Sequence, residues 1–147
     1  MTPDRIATQF SAASDPSAPP LALFGSSFLR DPPDSTARYA AWANRLTPAQ
    51  LRTQAYTSHG PTLILPTWFC AREVFARQPG GFVETGPGTP EDYHFFLRHL
   101  ETGGEVVRVP RVLLTYRYHA ASVTSVISER TIWAVRVEAL SRRVIDG

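Results

Sequence analysis

The residues able to do chemistry gather between Gly80 and Ser122. Glu91 and Asp92 are adjacent carboxylates behind the glycine-rich stretch Glu84-Thr85-Gly86-Pro87-Gly88. At a helix start, neighbouring side chains project roughly 100° apart around the axis. One can therefore face a cleft and take a proton from a hydroxyl, as a general base does, while the other makes a structural bond. Alternatively, both carboxylates simply complement the positive end of the helix dipole. A second group is Tyr116-Arg117-Tyr118-His119, followed by Ser122 and Thr124. The guanidinium of Arg117 can fork onto a phosphate. The imidazole of His119 can reach a metal or a phosphate oxygen. The alternative is a strand carrying an edge arginine and a solvent-facing histidine. Trp68 follows Pro66 at a predicted strand exit, where ligand crevices open in α/β sheets. Its indole either stacks on a sugar face there or packs into the core.

The other reactive residue types read as structural. Trp42 and Trp133 fall on apolar helix faces and are assigned to the core. Cys70 reads as a small buried residue with no base beside it. His59, His94 and His99 show no metal-ligand spacing, since positions 94 and 99 are five apart and off one helix face. Asp31-Pro32-Pro33-Asp34 has two residues between its carboxylates and lies in a proline turn, so it is not a metal-binding Asp-x-Asp.

Regular elements must position these groups. Residues 1 to 20 are rich in Ala, Ser, Pro and Asp and read as a disordered arm. Leu21 to Gly25 predicts a buried strand, and Arg30 to Asp34 a turn. Asp34 or Ser35 can cap a helix through Leu46. Thr47-Pro48-Ala49-Gln50 starts a second helix with a capping box, reaching about Thr57. Thr62 to Leu65 predicts a strand, and Trp68 to Arg77 a helix. Gly80-Gly81-Phe82 is a turn. Thr89 caps a further helix with Pro90 at its first position, and Gly103-Gly104 ends it. Glu105 to Val109 and Val112 to Tyr118 predict strands. Thr124 or Ser125 opens a closing amphipathic helix through Val144.

Composition bounds the possibilities. The chain has 147 residues, 43% apolar and 19% charged, which suffices for one domain with a real core. A net charge of +2 gives no argument for nucleic acid. All 15 basic residues are arginines, scattered rather than clustered. One cysteine excludes an intramolecular disulfide framework and a Cys-rich zinc site. No apolar run is long enough for a membrane span or a secretory leader. The expected setting is soluble, reducing and cytoplasmic.

The order of the motifs resembles a known family. A strand is followed by Trp68-Phe69-Cys70-x-Arg72, then Gly80-Gly81-Phe82-x-Glu84. Next come Gly88-Thr89-Pro90-Glu91-Asp92-Tyr93-x-Phe95-Phe96 and Gly103-Gly104. The series closes with Leu113-Leu114-x-Tyr116-Arg117-Tyr118-His119-x-x-Ser122. This series is similar to the second half of family 2 glycosyltransferases of the GT-A fold. Further segments resemble one group of them, the UDP-GlcNAc:beta-galactose beta-1,3-N-acetylglucosaminyltransferase-like proteins. These are Arg30 to Pro33, Gly60 to Thr62, Pro66 to Cys70, Thr131 to Trp133, and Arg136-Val137. The likeness covers about Leu23 to Val144.

The resemblance implies a partial GT-A mixed sheet flanked by helices. It implies Asp92 as catalytic base, with Glu91 beside it, in an inverting displacement at the anomeric carbon of a UDP-sugar. Gly80 and Gly81 would shape the acceptor side of the cleft, and Trp68 would line it. Arg117, His119 and Ser122 would fold over the diphosphate, with His119 a secondary metal contact. The family uses Mn²⁺ or Mg²⁺ held by an Asp-x-Asp, and this sequence contains none. The leading nucleotide-binding βα units are absent as well, and the first 20 residues resemble nothing in the family. The expectation is residues 21 to 147 as a base-bearing half, weakly active or inactive alone. Its partners would be a UDP-sugar donor at an incomplete site and a glycan or other hydroxyl acceptor. An exposed sheet edge invites association. The alternative is a non-catalytic remnant that binds a glycan or a protein.

Overall fold

A computed structural model describes residues 1–119, 121–122 and 126–146 of the chain. Among them are six α-helices and a two-stranded parallel sheet. The class is α/β, but the sheet is smaller than the expected mixed one.

Strand β1 (Leu23–Asp31) pairs in parallel with β2 (Val106–Arg117), from Leu23↔Val106 to Asp31↔Arg117. The two strands predicted at 105–109 and 112–118 are thus one. Pro110 has no N–H for the ladder, and the register slips there, so that Ser26 faces Val109 and Ser27 faces Val112. Beyond the slip, Phe28 and Arg30 oppose Leu114 and Tyr116. Pairs directly opposite share a face, and strand alternation sends Asp31 and Arg117 to the other.

Helix α2 (Ala37–Ala43) covers the first of these faces, with Ala43, Tyr39 and Trp42 packed around Phe28 and Leu114. Helix α3 (Pro48–Thr53) starts on the predicted capping box, with both the Thr47 and Gln50 bonds present. A 3-10 turn over Gln54–Tyr56 follows it.

Thr62 to Leu65 is not a strand. Its backbone polar groups are taken by local and side-chain partners: the Leu63 carbonyl accepts from Trp68 Nε1 at 2.7 Å, and the Ile64 carbonyl from Thr67 N at 2.9 Å. A 3-10 turn over Leu65–Thr67 results. Phe69, predicted as helical, forms an antiparallel bridge to Phe24 instead, so that α4 is only Arg72–Ala76.

Helix α5 (Glu91–Glu101) is the centre of the core, with Tyr93, Phe95, Phe96 and Leu97 fully buried. It begins one residue later than predicted. Pro90 is the N-cap residue, and the Thr89 hydroxyl pairs with that of Thr85 at 2.7 Å rather than capping the helix. Helix α6 (Glu129–Asp146) packs Ile132, Val135 and Ala139 onto this core. Its predicted start at Thr124 or Ser125 lies outside the described residues. Trp133, assigned above to the core, is instead 62% exposed, because it lies on the outer face of α6.

In place of the expected disordered arm, Arg5–Ala13 forms helix α1, with Arg5 and Gln9 buried and Ala12 and Ala13 packed against the cluster of Ala22, Phe24, Val109 and Leu113. Gln9 is fully buried; it accepts from Arg5 Nε at 2.9 Å and donates to the Thr67 carbonyl at 2.7 Å. Arg111 pairs with Asp4 at 2.7 Å, and Thr2 N donates to the Leu113 carbonyl at 2.9 Å. The outer edge of β2 is therefore partly occupied by the chain's own N-terminus.

Candidate functional site

The sheet face shared by Arg30 and Tyr116 opens onto a cleft of about 420 Å³. Asp92, on the first turn of α5, forms part of its wall. Tyr39 of α2 and Ile132 of α6 contribute others, and His59 and Glu129 stand among its polar lining.

Asp92 is held by its own helix. One carboxylate oxygen accepts from the backbone N–H of Tyr93 at 2.7 Å, which takes the place of a side-chain cap. Burial pushes its carboxyl up to about 6, and the neighbouring charge of Glu91 adds to the rise. The Tyr93 bond acts in the opposite direction but is outweighed. A carboxyl tuned to this range is ionised at neutral pH yet basic enough to accept a proton from a bound hydroxyl. Tyr39 is pushed up to about 12, first by burial and then by the charge of Asp92, with Arg30 opposing. Its hydroxyl stays protonated and is available as a donor.

Glu91 faces a different hollow, lined with Phe82, Glu84 and Thr89. The two adjacent carboxylates thus point into separate spaces, as helical geometry requires. Leu65 lines both spaces and separates them.

The remaining expected residues do not converge on Asp92. Trp68 stacks against Phe96 at 5.9 Å and tilts onto Phe95 at 5.7 Å, inside the core. Gly80 and Gly81 both have positive φ, which suits glycine at this turn. The Gly81 carbonyl accepts from Arg98, and the adjacent Phe82 stacks on Phe95 at 4.8 Å. This loop shapes the Glu91 hollow rather than the Asp92 cleft. Arg117 holds Asp31 at 3.0 Å on the opposite sheet face. His119 is exposed, and its carbonyl accepts from Ser122 N at 3.0 Å. None of these three lines the cleft.

That Arg30, Tyr39 and Tyr116 belong to one cleft with Asp92 is what motif reading missed. The signal was present as Phe28-x-Arg30 and Leu114-x-Tyr116, two stretches of alternating character that share a face once paired. Nothing local states that they pair.

Asp92 shares its cleft with the Arg30 guanidinium and with His59 and Glu129 from other segments, and among the described residues no group of three or more His, Cys, Asp or Glu is placed to hold a metal. Among the described residues, no helix is long and apolar enough to cross a membrane.

No protein-family model matches the chain, and no solved structure matches it.

Proposed function

We propose that the chain carries the base-bearing, acceptor-side half of an inverting sugar-transfer site of the family 2, GT-A type. Asp92 removes the proton from an acceptor hydroxyl, and that oxygen attacks the anomeric carbon of a UDP-sugar, with GlcNAc the donor the motif resemblance favours. The C–O bond to UDP breaks as the new glycosidic bond forms. UDP leaves with the electron pair, and the proton remains on Asp92.

The single observation behind this reading is a half-buried carboxyl, raised to about 6, on the wall of a cleft large enough for a sugar ring. Structural carboxylates at helix starts ordinarily face water and stay low. The motif order from Trp68 to Ser122 supports the same reading. Any Mn²⁺ or Mg²⁺ of such a reaction would take its ligands from outside this cleft. Transfer by this chain alone is expected to be slow.

The test is transfer from UDP-GlcNAc to a panel of neutral, carboxylated and phosphorylated β-galactosides, followed by product mass. Trace product from the native chain and none from Asp92→Asn supports the proposal. Equal product from both, or none from either, removes it.

A second reading, a non-catalytic module for a glycan or protein partner, draws on one observation. Trp133, Val137, Leu140 and Val144 form an exposed apolar stripe along α6. Under that reading, Asp92→Asn leaves partner binding intact.

A further inference from the structure

Arg30 holds a charge that the fold leaves uncommitted. Its Nε donates to Thr36 Oγ1 at 2.8 Å, and its guanidinium lies 4.5 Å from the centre of the Tyr116 ring. Among the described residues it forms no ion pair with a carboxylate. Its Nη1 is buried with no hydrogen-bond partner. An arginine presents five N–H groups in a rigid fork, and only one is used here. Asp92 lies in the same cleft but makes no ion pair with it.

The guanidinium is also held in place. Tyr116 supports its plane. Thr36, which receives Nε, sits in the left-handed region at φ 48°, unusual for a β-branched residue. Backbone strain of this kind persists where surrounding structure fixes a functional group. A neutral ligand without an acceptor there would leave the buried Nη1 unpaired, which is costly. An oxyanion would satisfy two of its N–H groups at once.

We propose that Arg30 anchors an anionic group, a carboxylate or a phosphate, of the molecule that occupies this cleft, so that the hydroxyl facing Asp92 belongs to an acidic acceptor. The proposal rests on the reading of this cleft as the substrate site, and it narrows the acceptor to acidic or phosphorylated glycans.

The experiment titrates the full chain with methyl glucoside, glucuronic acid and glucose 6-phosphate, following protein NMR shifts. At least one acid is expected to bind about tenfold or more tightly than the neutral sugar, the scale of one charge-assisted hydrogen bond. Whichever acid binds tighter identifies the group as carboxylate or phosphate. Arg30→Gln should erase the advantage with the circular dichroism unchanged. Arg30→Lys keeps the charge without the fork and should reduce the advantage without erasing it; it carries the test if the glutamine variant does not fold. Equal affinity for acids and neutral sugar, no saturable binding of either acid at millimolar concentration, or an advantage that survives both substitutions overturns the proposal. Asp92→Asn should keep the preference for acids even where it abolishes transfer. A failed transfer assay and a failed anion site are therefore told apart.

Discussion

Replacing Asp92 with asparagine is predicted to stabilise the protein at neutral pH and to change nothing in acid. The carboxyl titrates near 3.8 in an unfolded chain and at about 6 in the folded one. The folded state therefore binds this proton more tightly, and stability falls as pH rises from about 4 to about 6, then levels off. At ~1.36 kcal/mol per tenfold change in proton affinity, the full effect is about 3 kcal/mol. Asp92 is only half-buried, and solvent screening trims this to about 2–3 kcal/mol. Asparagine is never charged and can still accept from Tyr93 N, so the variant avoids the penalty. At roughly 3 °C per kcal/mol for a chain of this size, the variant should melt about 6–9 °C higher at pH 7.5. The assay is a pair of melting curves against pH between 4 and 8. His59 and Glu129 also line the cleft, but both are present in the native and variant proteins, so the difference curve reports the change at position 92. A difference that is absent at pH 7.5, of opposite sign, or equally large at pH 4 would refute the account of a strained, desolvated carboxyl. Stabilisation on removal of a charged side chain is the usual mark of a group kept for function at a cost in stability.

Other predictions follow from the packing. Gln9→Ala strands Arg5 and the Thr67 carbonyl without their buried partner; it should cost about 1–3 kcal/mol and expose residues before Ser14 to limited proteolysis. Tyr93→Phe removes the hydroxyl that donates to the Ala55 carbonyl at 2.5 Å in the core; a loss of about 1–2 kcal/mol in urea unfolding is expected. Gly104→Ala places a methyl group against the ring of buried His99, whose Nε2 lies 2.9 Å from the Glu105 carbonyl; its unfolding free energy should fall by about 1–3 kcal/mol in urea titration. Arg117→Ala breaks an exposed ion pair with Asp31 and should cost under about 1 kcal/mol, vanishing at high salt.

Elements whose signals are local were legible in the sequence. The Thr47–Gln50 capping box, the glycine stop after α5 and the apolar side of α5 all state their structure within a few residues. Thr62 to Leu65 misled because β-branched and apolar residues between prolines look like a strand, while side-chain bonds to its carbonyls turn the backbone aside. Helix α1 was missed because its inward face carries two long polar side chains and only the small Ala12 and Ala13. Arg5 and Gln9 point inward while Ile6 and Phe10 are more than half exposed, the reverse of the pattern that composition detects. Of the candidate site, the Glu91-Asp92 dipeptide left base and dipole roles open, and only the motif resemblance pointed to Asp92. That Arg30 and Tyr116 share a cleft with it was not legible, because their meeting depends on a register set by a slip at Pro110.

The pairing of β1 with β2 joins residues such as Leu23 and Val106, and four of the six described α-helices, α2 to α5, lie between them in sequence. A contact of that span closes only after a long stretch of chain has been brought into order, and the entropy of closing it is lost before the ladder repays it. Folding of this protein should therefore be slow for its size, with α5 and its aromatic cluster collapsing before the strands meet. The cleft, built from the far ends of both strands, would be among the last features to form, and ligand binding would report completion of the fold.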